Sequence, residues 1–245
     1  MQTPPAGSSV PNVPPSAVSA RPTWLTAPRL WPPRRQKIIG PIAVTTHDWS
    51  RPQPGEPEIF NQPLLEWFTT VRPSTLPAVY TPLAAWMFWL GLRGGISIGA
   101  SIAWLVSGLL LWTLMEYIIH RFSFHFTPRG RVTATMAYLI HGVHHAYPED
   151  HRRWVTPPVL SLPIALSLYF VFSFVFGRYI NPLGAGVAIG YTLYDLTHYV
   201  VHRGQVKSPV WKYLRSYHMQ HHYSKPERHY GVSSPFWDIV FRTYR

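Results

Sequence analysis

The chain has 245 residues, 22 Lys and Arg against 10 Asp and Glu, and a formal charge of +12, yet 47% of it is hydrophobic and it contains no cysteine. The missing cysteine excludes disulfide scaffolds, zinc knuckles, thiolate nucleophiles and iron–sulfur clusters, so any metal must be held by nitrogen or oxygen. The basic residues form no single stripe interleaved with stacking aromatics, which argues against a nucleic-acid partner, and the length suits one domain behind a leader rather than two globular units.

Residues 1–36 are rich in Pro, Ser and Ala, and no acidic residue precedes Asp48. Such a stretch cannot bury enough apolar surface to offset its ordering entropy, and it is expected to be disordered. It has no apolar core of the secretory kind, and its prolines oppose an amphipathic transit helix. The run PRRQK at 33–37 could lie against anionic lipid. The domain division expected is a leader over 1–59 and an integral-membrane domain over 60–245.

Apolar runs at 76–92, 96–120, 159–180 and 184–202 are each long enough to cross a bilayer. The turn RGG at 93–95 makes a hairpin of the first two, and Asn181, Pro182 and Gly184 are expected to turn the second pair. The two turns carry one basic residue each, Arg93 and Arg178, and the remaining twenty lie elsewhere. The positive-inside rule then puts both termini and the 121–158 loop in the cytosol. The fold predicted is an all-α membrane protein, with four transmembrane helices in two hairpins under a cytosolic helical cap.

That topology gathers the histidines. His120 and His125 lie at the cytosolic exit of the second helix, His198 and His202 at that of the fourth, and His141, His144, His145 and His218, His221, His222 in the segments that follow. In a helix of 3.6 residues per turn, HxxxH presents two imidazoles on one face, and HxxHH is expected to aim three at one point. His120 and His125, five apart, are roughly 140° apart in a straight α-helix. Either the helix ends or bulges between them, or they serve different ions. Ten imidazoles exceed the needs of one four- to six-coordinate ion, so the expected site is dinuclear. His47, His151 and His229 have no partner at ligand spacing and are read as solvated, with His151 and His229 near enough in sequence to serve behind the ligands.

Glu116 precedes His120 by four residues and Asp195 precedes His198 by three. Each shares a helix face with its histidine near the end of an apolar helix, where an ionised group is costly unless paired. Both are expected to support the ligands from behind, since a ligating imidazole usually gives its other N–H to a carboxylate or carbonyl.

No HExxH occurs, and a two-histidine, one-carboxylate triad would not need ten imidazoles. An all-nitrogen dinuclear site opening on an apolar interior suits O₂-dependent oxidation of an unactivated C–H bond in a lipid. Electrons would arrive from the cytosol, where Arg152, Arg153, Lys207, Lys212, Arg215, Lys225 and Arg228 offer a docking surface for an acidic electron-transfer protein. The alternatives are a sterol or other lipid oxidase or desaturase with the same histidines, and a histidine-rich metal transporter, which would place its ligands near mid-membrane.

The runs HRFSFH, HGVHH, YDLTHYVVH and YHMQHHY resemble the histidine boxes of the membrane fatty acid hydroxylase superfamily. HHAYPEDHRRWVTPP, with Pro148, Asp150, Arg153, Val155, Pro157 and Pro158, and the closing YGVSSPFWDIVFRT resemble its fatty acid 2-hydroxylases. The likeness runs from about residue 60 to the end. It implies two iron ions held by the ten histidines, with zinc able to replace iron during preparation, a location in the endoplasmic reticulum, and insertion of one O₂ oxygen at C2 of a long acyl chain of sphingolipid or its precursors. The family commonly has a further histidine where Arg203 stands, and nothing in the chain resembles the cytochrome b5 domain fused to yeast and animal members. The resemblance is therefore to the shorter plant-type members, with a separate cytochrome b5 as donor and the metal count unchanged.

Overall fold

A computed structural model describes Pro52 and residues 54–223 and 227–245. His47, the PRRQK run and nearly all of the Pro-rich leader lie outside the described residues, as does Lys225. Every regular element among the described residues is helical: α1 (Pro63–Phe68), α2 (Thr75–Arg93), α3 (Ile98–Ile118), α4 (Arg131–Ala137), α5 (Val143–Ala146), α6 (Pro158–Phe176), α7 (Ile180–Arg203), α8 (Pro209–Tyr223) and α9 (Phe236–Val240). Two π-helical turns interrupt this pattern. Ile119–Phe124 continues α3, and Tyr138–Gly142 joins α4 to α5.

The first hairpin turns where RGG predicts, with Gly94 and Gly95 donating their N–H groups to Leu90 and Leu92 at 2.9 and 3.0 Å. Opposite the turn, the Ser97 hydroxyl caps α3 by accepting from the Ala100 N–H. The second hairpin turns earlier than expected. Its bend is Gly177–Tyr179, with Gly177 at φ 51°, a conformation that favours glycine. Asn181, Pro182 and Gly184 lie inside α7 instead. Pro182 occupies the first turn of that helix, where a backbone N–H has no intrahelical acceptor and its loss costs nothing.

Helix α7 is the axis of the fold and packs along both α2 and α3. Its contact with α3 is made backbone to backbone. A Cβ on Gly108 would lie 2.0 Å from the Leu183 carbonyl oxygen, and one on Gly186 would lie 2.0 Å from that of Leu105, so the crossing requires glycine on both helices. The outward faces are apolar. Ile98, Ile102, Val106 and Leu110 form an exposed stripe on α3, and Leu166, Phe170, Phe174 and Val175 are exposed on α6.

By length and composition, Ile98–Phe124 and the bent 53-residue stretch His151–Arg203 are apolar enough to cross a membrane. Only 17% and 6% of their most apolar windows are buried, which is not how a soluble protein treats core helices. The chain is a membrane-associated helical protein. Helix α2 is not among the helices that meet this measure of apolarity.

Beyond α8 the chain folds back, and α9 rests on α3, where the Trp237 indole N–H donates to the Thr113 hydroxyl at 3.0 Å. Asp238 organises the loop before it, accepting from the Tyr230 and Gly231 N–H groups at 2.9 and 2.7 Å.

Candidate metal centre

The ten histidines expected as ligands form two groups, each with its ring nitrogens within 4.8 Å of one another. Site A holds His120, His125, His141, His145 and His221, and site B holds His144, His198, His202, His218 and His222. Each site takes two imidazoles from the end of an apolar helix and three from the segments outside it.

The π-helical turn settles the five-residue spacing. In a π-helix hydrogen bonds run from i to i+5, so residues five apart face alike, and the turn Ile119–Phe124 brings His120 and His125 to the same site. The HxxHH runs behave differently from expectation, because their three imidazoles do not meet at one point. His141 and His145 go to site A while His144 goes to site B; His218 and His222 go to site B while His221 goes to site A. Helix geometry gives the reason. Positions i and i+4 diverge by about 40°, whereas i+3 and i+4 diverge by about 100°. Each run therefore gives its outer pair to one site and its middle imidazole to the other.

The spacings within each site are those of a ligand shell. The Nε2 of His218 lies 3.0, 2.9 and 3.0 Å from the Nε2 atoms of His198, His202 and His222. In site A the Nε2 of His141 lies 3.1 Å from those of both His120 and His145, and His221 meets His125 at 3.0 Å. One imidazole nitrogen carries one proton or one lone pair and cannot hydrogen-bond to three others. Ligands at right angles, about 2.1 Å from one ion, would lie about 3.0 Å apart, and a tetrahedral set about 3.4 Å apart. The observed distances fit the former. His144 is buried with neither ring nitrogen hydrogen-bonded, a burial that costs free energy unless an ion takes a lone pair.

In four of the ten imidazoles the opposite ring nitrogen is fixed by a backbone carbonyl. His120 Nδ1 faces the Tyr230 carbonyl at 2.5 Å and His221 Nδ1 that of Arg228 at 2.6 Å. His198 Nδ1 faces the Trp154 carbonyl at 2.7 Å and His202 Nδ1 that of Pro148 at 3.1 Å. A carbonyl can only accept, so each Nδ1 carries the proton and each Nε2 directs its lone pair into its site.

Glu116 and Asp195 do not contact the histidines they were expected to support. Glu116 accepts from the Val232 and Ser233 N–H groups at 2.7 and 2.8 Å and from the Ser233 hydroxyl. Asp195 accepts from the Thr156 N–H at 3.1 Å. The carboxylate and the imidazole each reach from the helix to the neighbouring loop, side by side. Each carboxylate holds a loop, and a carbonyl two residues away in that loop holds the histidine.

Burial, reinforced by neighbouring imidazoles, keeps His141, His144, His145, His218, His221 and His222 well below the ordinary histidine pKa. Neutral imidazoles are the form that binds metal. Of the remaining histidines, His151 is half exposed and pairs with Glu56 at 2.7 Å. His229 is not solvated: it is 3% exposed, packs against the Tyr217 ring and faces the Tyr244 carbonyl at 2.7 Å.

Arg203 is exposed, and site B has five imidazoles without a histidine in its place. The expected docking surface shrinks. Arg153 is buried, Arg152 pairs with Glu56 and Asp150, and Arg215 donates to the Val201 carbonyl. Lys207, Lys212 and Arg228 stay exposed. Asp238 and the four carbonyls were missed by the sequence reading, because a carbonyl belongs to every residue and leaves no mark in residue type.

The fatty acid hydroxylase family model matches residues 105–243, which include all ten of these histidines. A dihydroceramide fatty acyl 2-hydroxylase of Arabidopsis thaliana is 34% identical over 188 residues, 76% of this chain and 79% of the relative. A ceramide very long chain fatty acid hydroxylase of Schizosaccharomyces pombe is 38% identical over 172 residues, 69% of this chain and 49% of the relative. The solved structure of full-length scs7p, in which only the hydroxylase domain is visible, superposes with a TM-score of 0.76 at 29% identity, over 83% of this chain and 82% of that one. Fold, paired imidazole sites and sequence agree: the chain belongs to the fatty acid hydroxylase family.

Proposed function

We propose that this chain is a membrane-bound monooxygenase that hydroxylates C2 of the long acyl chain of a sphingolipid or its precursor. The observation that carries the reading is the pair of five-imidazole sites at the ends of lipid-facing helices. His120, His125, His141, His145 and His221 would hold one iron ion, and His144, His198, His202, His218 and His222 the other. Bound there, the ions supply reductive activation of O₂. The reaction balances as C–H plus O₂, two electrons and two protons giving C–OH and water.

The protein's own share is positional. Carbonyls of Tyr230, Arg228, Trp154 and Pro148 hold imidazole tautomers, Glu116 and Asp195 hold the two loops that carry those carbonyls, and burial keeps the imidazoles neutral and water out. We read residues 60–245 as the hydroxylase domain behind the leader 1–59, crossing the endoplasmic reticulum membrane as four helices with the metal sites under a cytosolic cap. An acyl carbon beside the carbonyl lies near the polar rim of a bilayer, which is where α3 and α7 end. The electron donor is a separate cytochrome b5, drawn by Lys207, Lys212 and Arg228.

Expression in a host without such an activity should produce 2-hydroxy acyl lipids, detected by mass spectrometry, and purified protein should carry about two iron ions per chain. Oxidised sterols or unsaturated lipids with no 2-hydroxy product would replace this reading with another lipid oxidation.

A further inference from the structure

We propose that residues 56–71, which precede the membrane helices and the stretch matched by the family model, are a positioning element for site B, locked in place by Arg153. The inference rests on the metal-centre reading above and adds to it a region with no ligand of its own.

Arg153 is 8% exposed, and its guanidinium spans two segments of chain. One end pairs with Asp150 and donates to the Pro57 carbonyl at 3.0 Å; the other pairs with Glu66 and donates to the Thr69 hydroxyl at 3.0 Å. Glu66 uses its second oxygen to accept from the Ile59 and Phe60 N–H groups at 2.9 and 3.0 Å. Arg152 adds a pairing with Glu56, and the Val71 N–H donates to the Arg152 carbonyl at 3.1 Å. The planar fork of arginine is what allows one side chain to serve both segments, which a lysine cannot do.

The loop that this clamp holds carries both carbonyl supports of site B. Pro148 faces His202 and Trp154 faces His198, while the Trp154 indole N–H donates to the Pro148 carbonyl at 2.8 Å and ties the two supports together. Site A depends on a different loop, the one containing Arg228 and Tyr230, anchored by Glu116 and Asp238. Releasing Arg153 therefore frees the supports of one site and leaves those of the other in place. Loss of such a support weakens metal binding by roughly 10- to 100-fold.

The experiment measures iron per chain in the full-length protein, in detergent, equilibrated with ferrous iron at a concentration a few-fold above the dissociation constant of its weaker site, so that the wild type is nearly filled and a weakened site is not. Glu66→Gln is the mild variant and Arg153→Lys the stronger, and their thermal transitions identify any that fail to fold. Binding should fall from about two ions to about one in Glu66→Gln. Paired with His144→Ala, which removes a site B ligand, Glu66→Gln should still leave about one ion; paired with His141→Ala, which removes a site A ligand, it should leave almost none. Two ions retained in folded Glu66→Gln and Arg153→Lys would overturn the proposal, as would equal losses in the two paired variants. A wild-type protein that takes up no iron would instead overturn the metal-centre reading itself.

Discussion

Sites A and B use the same five-imidazole shell but are supported by unlike regions. Site A is backed by the 228–233 loop, which Glu116 and Asp238 hold from α3 and α9. Site B is backed by the 148–156 loop, which Asp195 holds from α7 and the segment before α2 holds through Arg153. The ligands in both cases are set by helix geometry, whereas the support comes from whatever chain folds against the rim. A shell can therefore be duplicated while its surroundings diverge, and the two sites are expected to respond differently to changes behind the ligands and alike to changes in them.

The largest effect should come from the ligands. His144→Ala and His221→Ala each remove one nitrogen, from site B and site A respectively, and each should abolish 2-hydroxy product while leaving membrane insertion intact. Turnover retained in both variants would break the ligand assignment. Acid should act on both sites together. The six imidazoles outside the membrane helices are held below the ordinary value by burial, so the unfolded chain takes up their protons first. Their contribution to stability is complete above about pH 6.5 and is lost as pH falls below it. Because protons also compete for the ligand nitrogens, iron content measured after dialysis at descending pH should fall below that point in both sites, and iron lost on raising pH would contradict the sign.

Smaller effects should separate the sites. Glu116→Gln withdraws charge from the N–H groups of Val232 and Ser233 and should weaken iron binding at site A, whereas Asp195→Asn should weaken it at site B, each by roughly 10-fold or more. Elemental analysis of both variants in His141→Ala and His144→Ala backgrounds assigns the loss, and the same site affected in both would erase the distinction. Smallest is Trp154→Phe, which deletes the indole hydrogen bond to the Pro148 carbonyl and leaves that of His202 in place. It should cost about 1 kcal/mol, seen as a modest shift of the thermal transition with both ions retained.

Much of this centre was readable from residue spacing. The HxxxH pair His198 and His202 on α7, the exit of α3 at His120, the first hairpin turn and the total of ten imidazoles all follow from helix period and hydropathy. The division of each HxxHH between two sites did not, although the angular offset of its middle residue was available. The π-helical turn at Ile119–Phe124 is one of the alternatives left open by the five-residue spacing of His120 and His125, and no residue type marks where a helix widens so as to decide among them. Pro182 misled in the second hairpin because a proline reads equally as turn or as first helical turn. The carbonyl supports, and the burial of His229 against Tyr217, depend on chain segments distant in sequence meeting at the rim, and side-chain pattern carries no record of that.

The glycine crossing of α3 and α7 has a mechanical consequence. Gly108 precedes His120 and Gly186 precedes His198 by the same twelve residues, about 18 Å of helix. The crossing is thus a fulcrum equidistant from the two imidazole pairs, and the helices are its arms. A single methyl at either glycine would force the arms to splay, altering the gap between sites A and B from about 18 Å away without touching any of their imidazoles.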